Sequence, residues 1–218
     1  MKNLFVIALL FLNYHCFGQL GTPSLYGEYD VFIDEEFNDN IFHKITFGSE
    51  LTSFRFIAPE FDASYYYGLN SQEMFDAEQT GPPTYAAYLN ENFEGFVWGF
   101  SPKLFYQEEG TRVVFIPKYH FGKIRAKGNF LDSDDVALEK VTKLKMYYWS
   151  FALGIEESKW SNNATYGFYL IYNGLNAGKA LNQLDFNAQS FSKDNYNTRT
   201  IGLGIRISYN FKARNQII

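Results

Sequence analysis

An all-β fold, an antiparallel up-and-down transmembrane β-barrel of eight strands, is what this 218-residue sequence predicts, and three observations carry the prediction. Residues 200–211 alternate strictly: Ile201, Leu203, Ile205, Ile207, Tyr209 and Phe211 share one face, while Gly202, Gly204, Arg206, Ser208 and Asn210 share the other. A strand with one apolar face and one small, polar face fits lipid outside and a polar lumen inside. The opposite end of the chain reads as an export leader. Finally, Phe, Tyr and Trp make up 20% of the residues and recur within and at the ends of alternating segments, as the interfacial girdles of a membrane barrel require.

The leader is residues 1–18 and the barrel domain is 19–218. Met1-Lys2-Asn3 is a short basic start, and the apolar run over residues 4–12 is too short to span a bilayer as a helix but suits a signal-peptide core. Cys16 and Gly18 put small residues at the −3 and −1 positions of a cut after Gly18, leaving Gln19 as the mature start. Acylation at Cys16 would need small apolar residues before it, and Asn13-Tyr14-His15 are bulky and polar. Because Cys16 is the single cysteine, that cut removes every thiol, and with it any disulfide or cysteine metal site. Loss of Lys2 takes the formal charge from −5 to −6, an acidic surface that argues against nucleic acid as a partner. No later apolar stretch approaches the roughly twenty residues of a membrane helix.

The internal strands repeat the terminal pattern. Residues 93–107 set Phe96, Trp98, Phe100, Leu104 and Tyr106 against Gly95, Val97, Gly99, Ser101 and Lys103. After a tight break at Glu108-Glu109-Gly110, residues 111–122 set Val113, Phe115, Tyr119 and Phe121 against Arg112, Val114, Ile116, Lys118 and His120, so the two form a hairpin. Pro117 lacks a donor, which predicts a bulge or a locally weakened pairing. Residues 141–156 direct Tyr147, Trp149, Phe151, Leu153 and Ile155 outward and Tyr148, Ser150, Ala152, Gly154 and Glu156 inward. Residues 164–174 direct Tyr166, Phe168, Leu170 and Tyr172 outward and Gly167, Tyr169, Ile171 and Asn173 inward. The short connection 157–163 contrasts with long polar ones at 123–140 and 175–197, which places both chain ends on the short-turn, periplasmic side.

The N-terminal third is less regular. Residues 41–56 are of spanning length, but Ile45, Phe47 and Leu51 occupy one parity and Phe54 and Phe56 the other, as a one-residue bulge would produce. Residues 28–33 and 62–69, the latter with Tyr65-Tyr66-Tyr67, are short candidates, and 70–92, with Gly81-Pro82-Pro83, reads as a long surface excursion. Six clear segments and two weaker ones make eight, the smallest even count for such a barrel, whose interior side chains fill; a general diffusion pore is not expected.

With Phe17-Gly18-Gln19 at the leader's end and the terminal strand through Phe211, the chain resembles the small outer-membrane β-barrels of Bacteroidota, a porin-like family similar in architecture to OmpA and OmpX barrels. The resemblance implies a cell outer-membrane location. It also implies outer-membrane lipids as surroundings and the barrel-assembly machinery as a partner during biogenesis, the latter reading a terminal aromatic residue. Here residues 212–218 follow Phe211, a departure from members that end on that residue.

Lys103, Lys118, His120, Glu156 and Arg206 share the inward parity and are expected to form a lumenal ion-pair network, since enclosed charges must be paired or hydrated. The sharper alternative is an acyl-transfer site in which His120, oriented by Glu156, activates Ser101 or Ser150. Asn176-Ala177 faintly resembles the His-x-Ser-Asn-Ala segment of outer-membrane lipid A deacylases, but Leu175 stands where the serine should be and the motif's histidine is missing. His43 reads as a structural or rim residue and His15 leaves with the leader, so no histidine metal centre is expected. Glu35-Glu36, Asp134-Asp135 and Glu156-Glu157 read as solvated turns rather than calcium loops. No phosphate loop, dinucleotide fingerprint or Gly-x-Ser-x-Gly turn occurs. No catalytic, metal or cofactor residue is therefore assigned.

The expected role is structural, binding or accessory, without enzymatic activity. Three alternatives stay open. The chain would be an accessory subunit of an outer-membrane secretion or assembly complex, meeting a protein partner through its long loops; a lipid-modifying acyl hydrolase; or a soluble periplasmic lipocalin-like binding protein with the aromatic face turned inward.

Overall fold

In a computed structural model, residues 22–34, 41–75, 85–132, 137–158, 163–186 and 196–211 are described. The leader with its cleavage site, the residues after Phe211, the acidic pairs at 35–36 and 134–135, and Gly81-Pro82-Pro83 lie outside them. The strands are β1 (Ser24–Ile33), β2 (Ile41–Glu50), β3 (Ile57–Phe75), β4 (Tyr85–Glu108), β5 (Thr111–Asp132), β6 (Ala137–Glu157), β7 (Ala164–Asn173) and β8 (Thr200–Asn210); one helical turn, α1 (Gly178–Leu181), precedes β8. All neighbours pair antiparallel and β1 pairs with β8, so the eight strands close as an up-and-down barrel.

Alternation decides which face meets what. Outward positions carry large exposed hydrophobes, among them Phe47 (70% exposed), Trp98, Phe151, Phe168 and Leu203 (65%), while the inward positions of the same strands are buried or half-buried. The apolar belt on β5 runs from Val113 to Phe121 and on β6 from Tyr147 to Ile155, each about the nine residues that a tilted strand needs to cross a bilayer core. This is an inside-out core: apolar surface is outermost and charge is innermost. The lipocalin-like assignment, with the aromatic face inward, is thereby corrected, because the β8 ladders to β1 and β7 fix a parity that turns Ile201, Leu203, Ile205 and Ile207 out.

Several local expectations change. Residues 41–56 are not one bulged strand: β2 ends at Glu50, and residues 51–56 form a turn closed by reciprocal backbone bonds between Phe54 and Ile57 (2.7 and 2.9 Å), with Arg55 in the left-handed region at φ 53°. Phe54 and Phe56 thus belong to a turn, which is why their parity fails. Between β4 and β5 the two-residue connection Glu109-Gly110 has positive φ at both positions (45° and 87°), as a type I′ hairpin demands. Pro117 makes no bulge. The ladder lapses over residues 101–103 and 116–118, but Phe100↔Tyr119 and Leu104↔Phe115 keep one register on either side, so the pairing is weakened and not shifted. Pro102, which pairs with Pro59 on β3, falls within the same lapse and removes a second donor.

The largest correction concerns the segments expected as long loops. Residues 70–75 and 85–92 extend β3 and β4, and residues 123–132 and 137–140 extend β5 and β6. Since β2 pairs β3 only as far as Tyr67, and β7 pairs β6 only from Ser150, the upper halves of β3–β6 continue past the barrel wall as a four-stranded sheet. Ten residues of β5 beyond Gly122, at about 3.3 Å each, project about 30 Å. Of the segment expected as a loop at 175–197, the described residues 175–186 instead fold back over the mouth. Leu175, Ala177, Ala180, Leu181, Leu184 and Phe186 are buried, Phe186 stacks on Phe130 of β5 (5.9 Å), and Lys140 of β6 donates to the Asp185 carbonyl.

Backbone proximity holds this cap in place. Ala177 N–H donates to Thr198 Oγ1 (2.8 Å), Thr198 Oγ1 donates to the Leu175 carbonyl (3.1 Å), and Asn182 bonds the Tyr196 backbone through both its amide atoms (3.0 and 3.3 Å). A Cβ on Gly178 would lie 2.2 Å from the Tyr196 carbonyl oxygen. Gly178→Val is accordingly expected to dislodge the cap while leaving the wall closed: limited proteolysis should cut within residues 175–198 at least tenfold faster, with unchanged gel mobility of the unheated barrel. Equal cutting rates would show that the cap does not depend on this contact.

Candidate functional site

The lumen begins as a charged layer to which every strand contributes. Lys103 Nζ (β4) lies 2.6 Å from both Glu50 (β2) and Glu156 (β6) and 3.6 Å from Glu60 (β3). Arg206 (β8) donates through Nε and Nη2 to Glu28 (β1) at 2.8 and 2.6 Å and through Nη1 to Glu60 at 2.5 Å. Lys44 (β2) contacts Asp30 at 2.5 Å and Glu28 at 3.2 Å, and Lys118 (β5) contacts Asp62 (β3) at 2.6 Å. Tyr169 (β7) donates to Glu156 (2.6 Å), and Tyr26 to Asp62 (2.9 Å). Arg112, at the rim, reaches Glu50 at 3.3 Å.

Register explains how these charges meet. Asp30 stands directly opposite Lys44, Glu28 opposite Arg206, and Arg112 opposite Glu156, so the pairs are built into the ladders. Glu50 and Glu60 also stand opposite each other, a like-charge rung that Lys103 bridges. A one-residue slip would turn all of these charges into lipid, at several kcal/mol each before relaxation, so the network specifies register as well as filling space.

Above the charges lies an aromatic layer. Phe32 stacks on Phe42 (4.9 Å), Phe42 meets Phe93 edge-on (5.6 Å), and His120 stacks on Tyr148 (4.6 Å). Tyr148 donates to the Tyr66 hydroxyl (2.8 Å), which donates to Asn173 Oδ1 (3.5 Å); the same oxygen accepts from Leu175 N–H (3.2 Å), tying this layer to the cap. Charged, aromatic and apolar cap layers thus follow one another along the barrel interior.

The five lumenal residues singled out in the sequence, Lys103, Lys118, His120, Glu156 and Arg206, are all inward and buried. Four of them enter the ion-pair network, and His120 stands apart from it, bonded to Ser150 (Nε2···Oγ 2.8 Å). The structure therefore unites His120 with Ser150 but not with Glu156, whose Oε1 is engaged by both Lys103 and Tyr169, and His120 Nδ1 has no hydrogen-bond partner among the described residues. Ser101 is buried, with no partner on its hydroxyl among the described residues. That pair lacks the orienting acceptor a nucleophilic site needs, and both members are buried. His43 is on the outer rim, bonded to the Tyr29 hydroxyl (2.8 Å), and Asn176-Ala177 belong to the cap. Among the described residues no cluster of His, Cys, Asp and Glu is arranged to hold a metal ion.

Sequence reasoning missed the acidic half of the network. Glu28, Asp30, Glu50, Glu60 and Asp62, with Lys44, come from β1–β3, where the alternation was hardest to read. A signal was present: Glu60 and Asp62 flank outward Phe61, and Glu28 and Asp30 flank outward Tyr29, an acid at every second position of an otherwise apolar strand.

No protein family model matches the chain, and no curated protein matches it. Among solved structures it is similar to Neisserial surface protein A, NspA (10% identity, TM-score 0.48, 88% of this chain and 99% of that one). It is also similar to Ail, the attachment invasion locus protein of Yersinia pestis (8%, 0.39, 88% and 97%), and to the N-terminal β-barrel domain of Pseudomonas aeruginosa OprF (11%, 0.34, 88% and 100%). At such identities the likeness is one of barrel architecture alone.

Proposed function

We propose that this chain is an outer-membrane β-barrel with a structural or binding role, a closed anchor that holds an external four-stranded sheet away from the membrane. The observation that carries the reading is the conjunction of a complete apolar belt with a lumen filled by buried, mutually paired side chains. A belt without a pore anchors; it does not conduct. In this reading the leader is removed after Gly18, the belt is surrounded by outer-membrane lipids, and the assembly machinery reads the aromatic end of β8. The resemblance to small Bacteroidota barrels rests on the same leader and terminal strand.

An accessory role in a larger assembly is favoured by one further observation. Beyond Tyr67 on β3 and before Ser150 on β6, the extended sheet has two edges without a neighbouring strand among the described residues, and open edges are templates for strand addition by a partner. Co-purification of a stoichiometric partner from detergent extracts, lost when residues 123–140 are deleted, checks that role.

The test of the main reading is expression of the full precursor, isolation of the outer-membrane fraction, and comparison of unheated with boiled samples by gel mobility. A membrane-extracted, heat-modifiable band is expected; a soluble species without a heat shift would overturn it. Reconstituted in planar bilayers, the same protein is expected to give no stepwise conductance, and steady open-channel steps would contradict the filled lumen.

A further inference from the structure

On β5 and β6 the lipid belt ends at a single rung, Phe121↔Tyr147, and the next outward rungs are Lys123↔Lys145 and Arg125↔Lys143, with Lys127 beyond. Five of the 19 Lys and Arg residues of a chain with formal charge −5 are thus gathered on one small outward face. Like charges directly opposite on adjacent strands repel, and here two successive outward rungs do so. Only part of that charge is answered within the protein: Glu94 takes Arg125 (3.2 Å) and Glu139 takes Lys127 (3.0 Å). Lys123, Lys143 and Lys145 are exposed and have no acidic partner among the described residues.

Height decides what these cations face. Phe121, Tyr147, Tyr119 and Trp149 form the aromatic border of the belt, the level at which such rings meet lipid headgroups. A lysine one rung further out stands at the phosphates. Resting on the outer-membrane reading above, we propose that Lys123, Lys143 and Lys145 form a binding site for the phosphate groups of an anionic lipid headgroup in the outward-facing leaflet. The lipid's chains lie along the β5–β6 belt while its phosphate relieves the repulsion of the two cationic rungs. Lysine suits this task, since its ammonium binds phosphate as a point charge without demanding a fixed fork.

The full-length barrel, folded in phosphatidylcholine nanodiscs doped with diphosphorylated lipid A, with its dephosphorylated form or with phosphatidylglycerol, tests the site by native mass spectrometry of retained lipid. Selective retention of the anionic lipids, diphosphorylated lipid A and phosphatidylglycerol, over dephosphorylated lipid A and the zwitterionic matrix lipid is expected, and the variant Lys123→Gln/Lys143→Gln/Lys145→Gln should weaken it about a hundredfold. Replacement of the three lysines by Arg should preserve binding, as should Lys179→Gln on α1. Equal retention of the dephosphorylated lipid, or unchanged binding by the Gln variant, overturns the proposal. Displacement of the lipid by millimolar inorganic phosphate would reassign the site to a free anion and overturn the lipid source. A heat-modifiable barrel without phosphate preference defeats this inference alone, whereas a chain that forms no heat-modifiable barrel defeats the reading on which it rests.

Discussion

Arg206→Met is expected to lower the stability of the folded barrel by about 3–5 kcal/mol, measured as the free energy of urea unfolding from lipid vesicles. Arg206 is buried under the rings of Tyr26 and Tyr169 (4.0 and 5.0 Å from their centroids) and donates three hydrogen bonds to Glu28 and Glu60. Without it Glu28 keeps Lys44 at 3.2 Å, but Glu60 is left with Lys103 at 3.6 Å and Lys118 at 3.8 Å, contacts too long to satisfy it. The cost is therefore that of a carboxylate left enclosed and unpaired, more than that of an attraction removed. The same logic predicts recovery: adding Glu28→Gln and Glu60→Gln to Arg206→Met should restore more than half of the loss. A single substitution within about 0.5 kcal/mol of the parent, the range of an ordinary surface change, would show that the network does not bear on stability.

Ile205→Arg carries the second large effect and has a different origin. Ile205 is 52% exposed at the middle of the β8 belt, between Leu203 and Ile207. In water an arginine at such a position would change stability by no more than about 0.5 kcal/mol. Facing hydrocarbon at mid-depth it should cost about 2–4 kcal/mol, and Ile201→Arg, at the end of the same belt, only about 0–1. The gradient with depth is the signature of lipid, because the penalty comes from dehydrating the guanidinium and falls away where the side chain reaches the headgroups. Equal, near-zero effects at both positions would place this face in water.

Much of the fold was legible because one rule, an apolar side chain at every second residue, operates wherever a strand lies between lipid and lumen. It found β5, β6 and β8 within the membrane and assigned Lys103, Lys118, His120, Glu156 and Arg206 to the interior. It failed where the surroundings changed. Above the membrane β5 keeps its parity but reverses its polarity: Ile124, Ala126 and Phe130 are buried inside while Lys123 and Arg125 face outward. With water outside and the cap inside, that stretch resembles an ordinary soluble strand, and a search for outward hydrophobes reads it as a polar loop. The turn at 51–56 failed for a simpler reason, since Phe54 and Phe56 suggest a strand until Arg55 is seen to reverse the chain.

The sequence by itself determined the all-β class, the face each strand side chain takes in the membrane-spanning part, and the polar character of the lumen, because alternation is a property of neighbouring residues. Only the tertiary structure decided which charges meet, how far β3–β6 extend, and what closes the mouth. Arg206 and Glu28 are 178 residues apart, and they touch because β8 closes on β1 in one register. The cap is likewise set by the upper walls of β4, β5 and β6, which supply the apolar surface that residues 175–186 need in order to fold inward. Local periodicity contains neither closure nor register; both arise from long-range pairing.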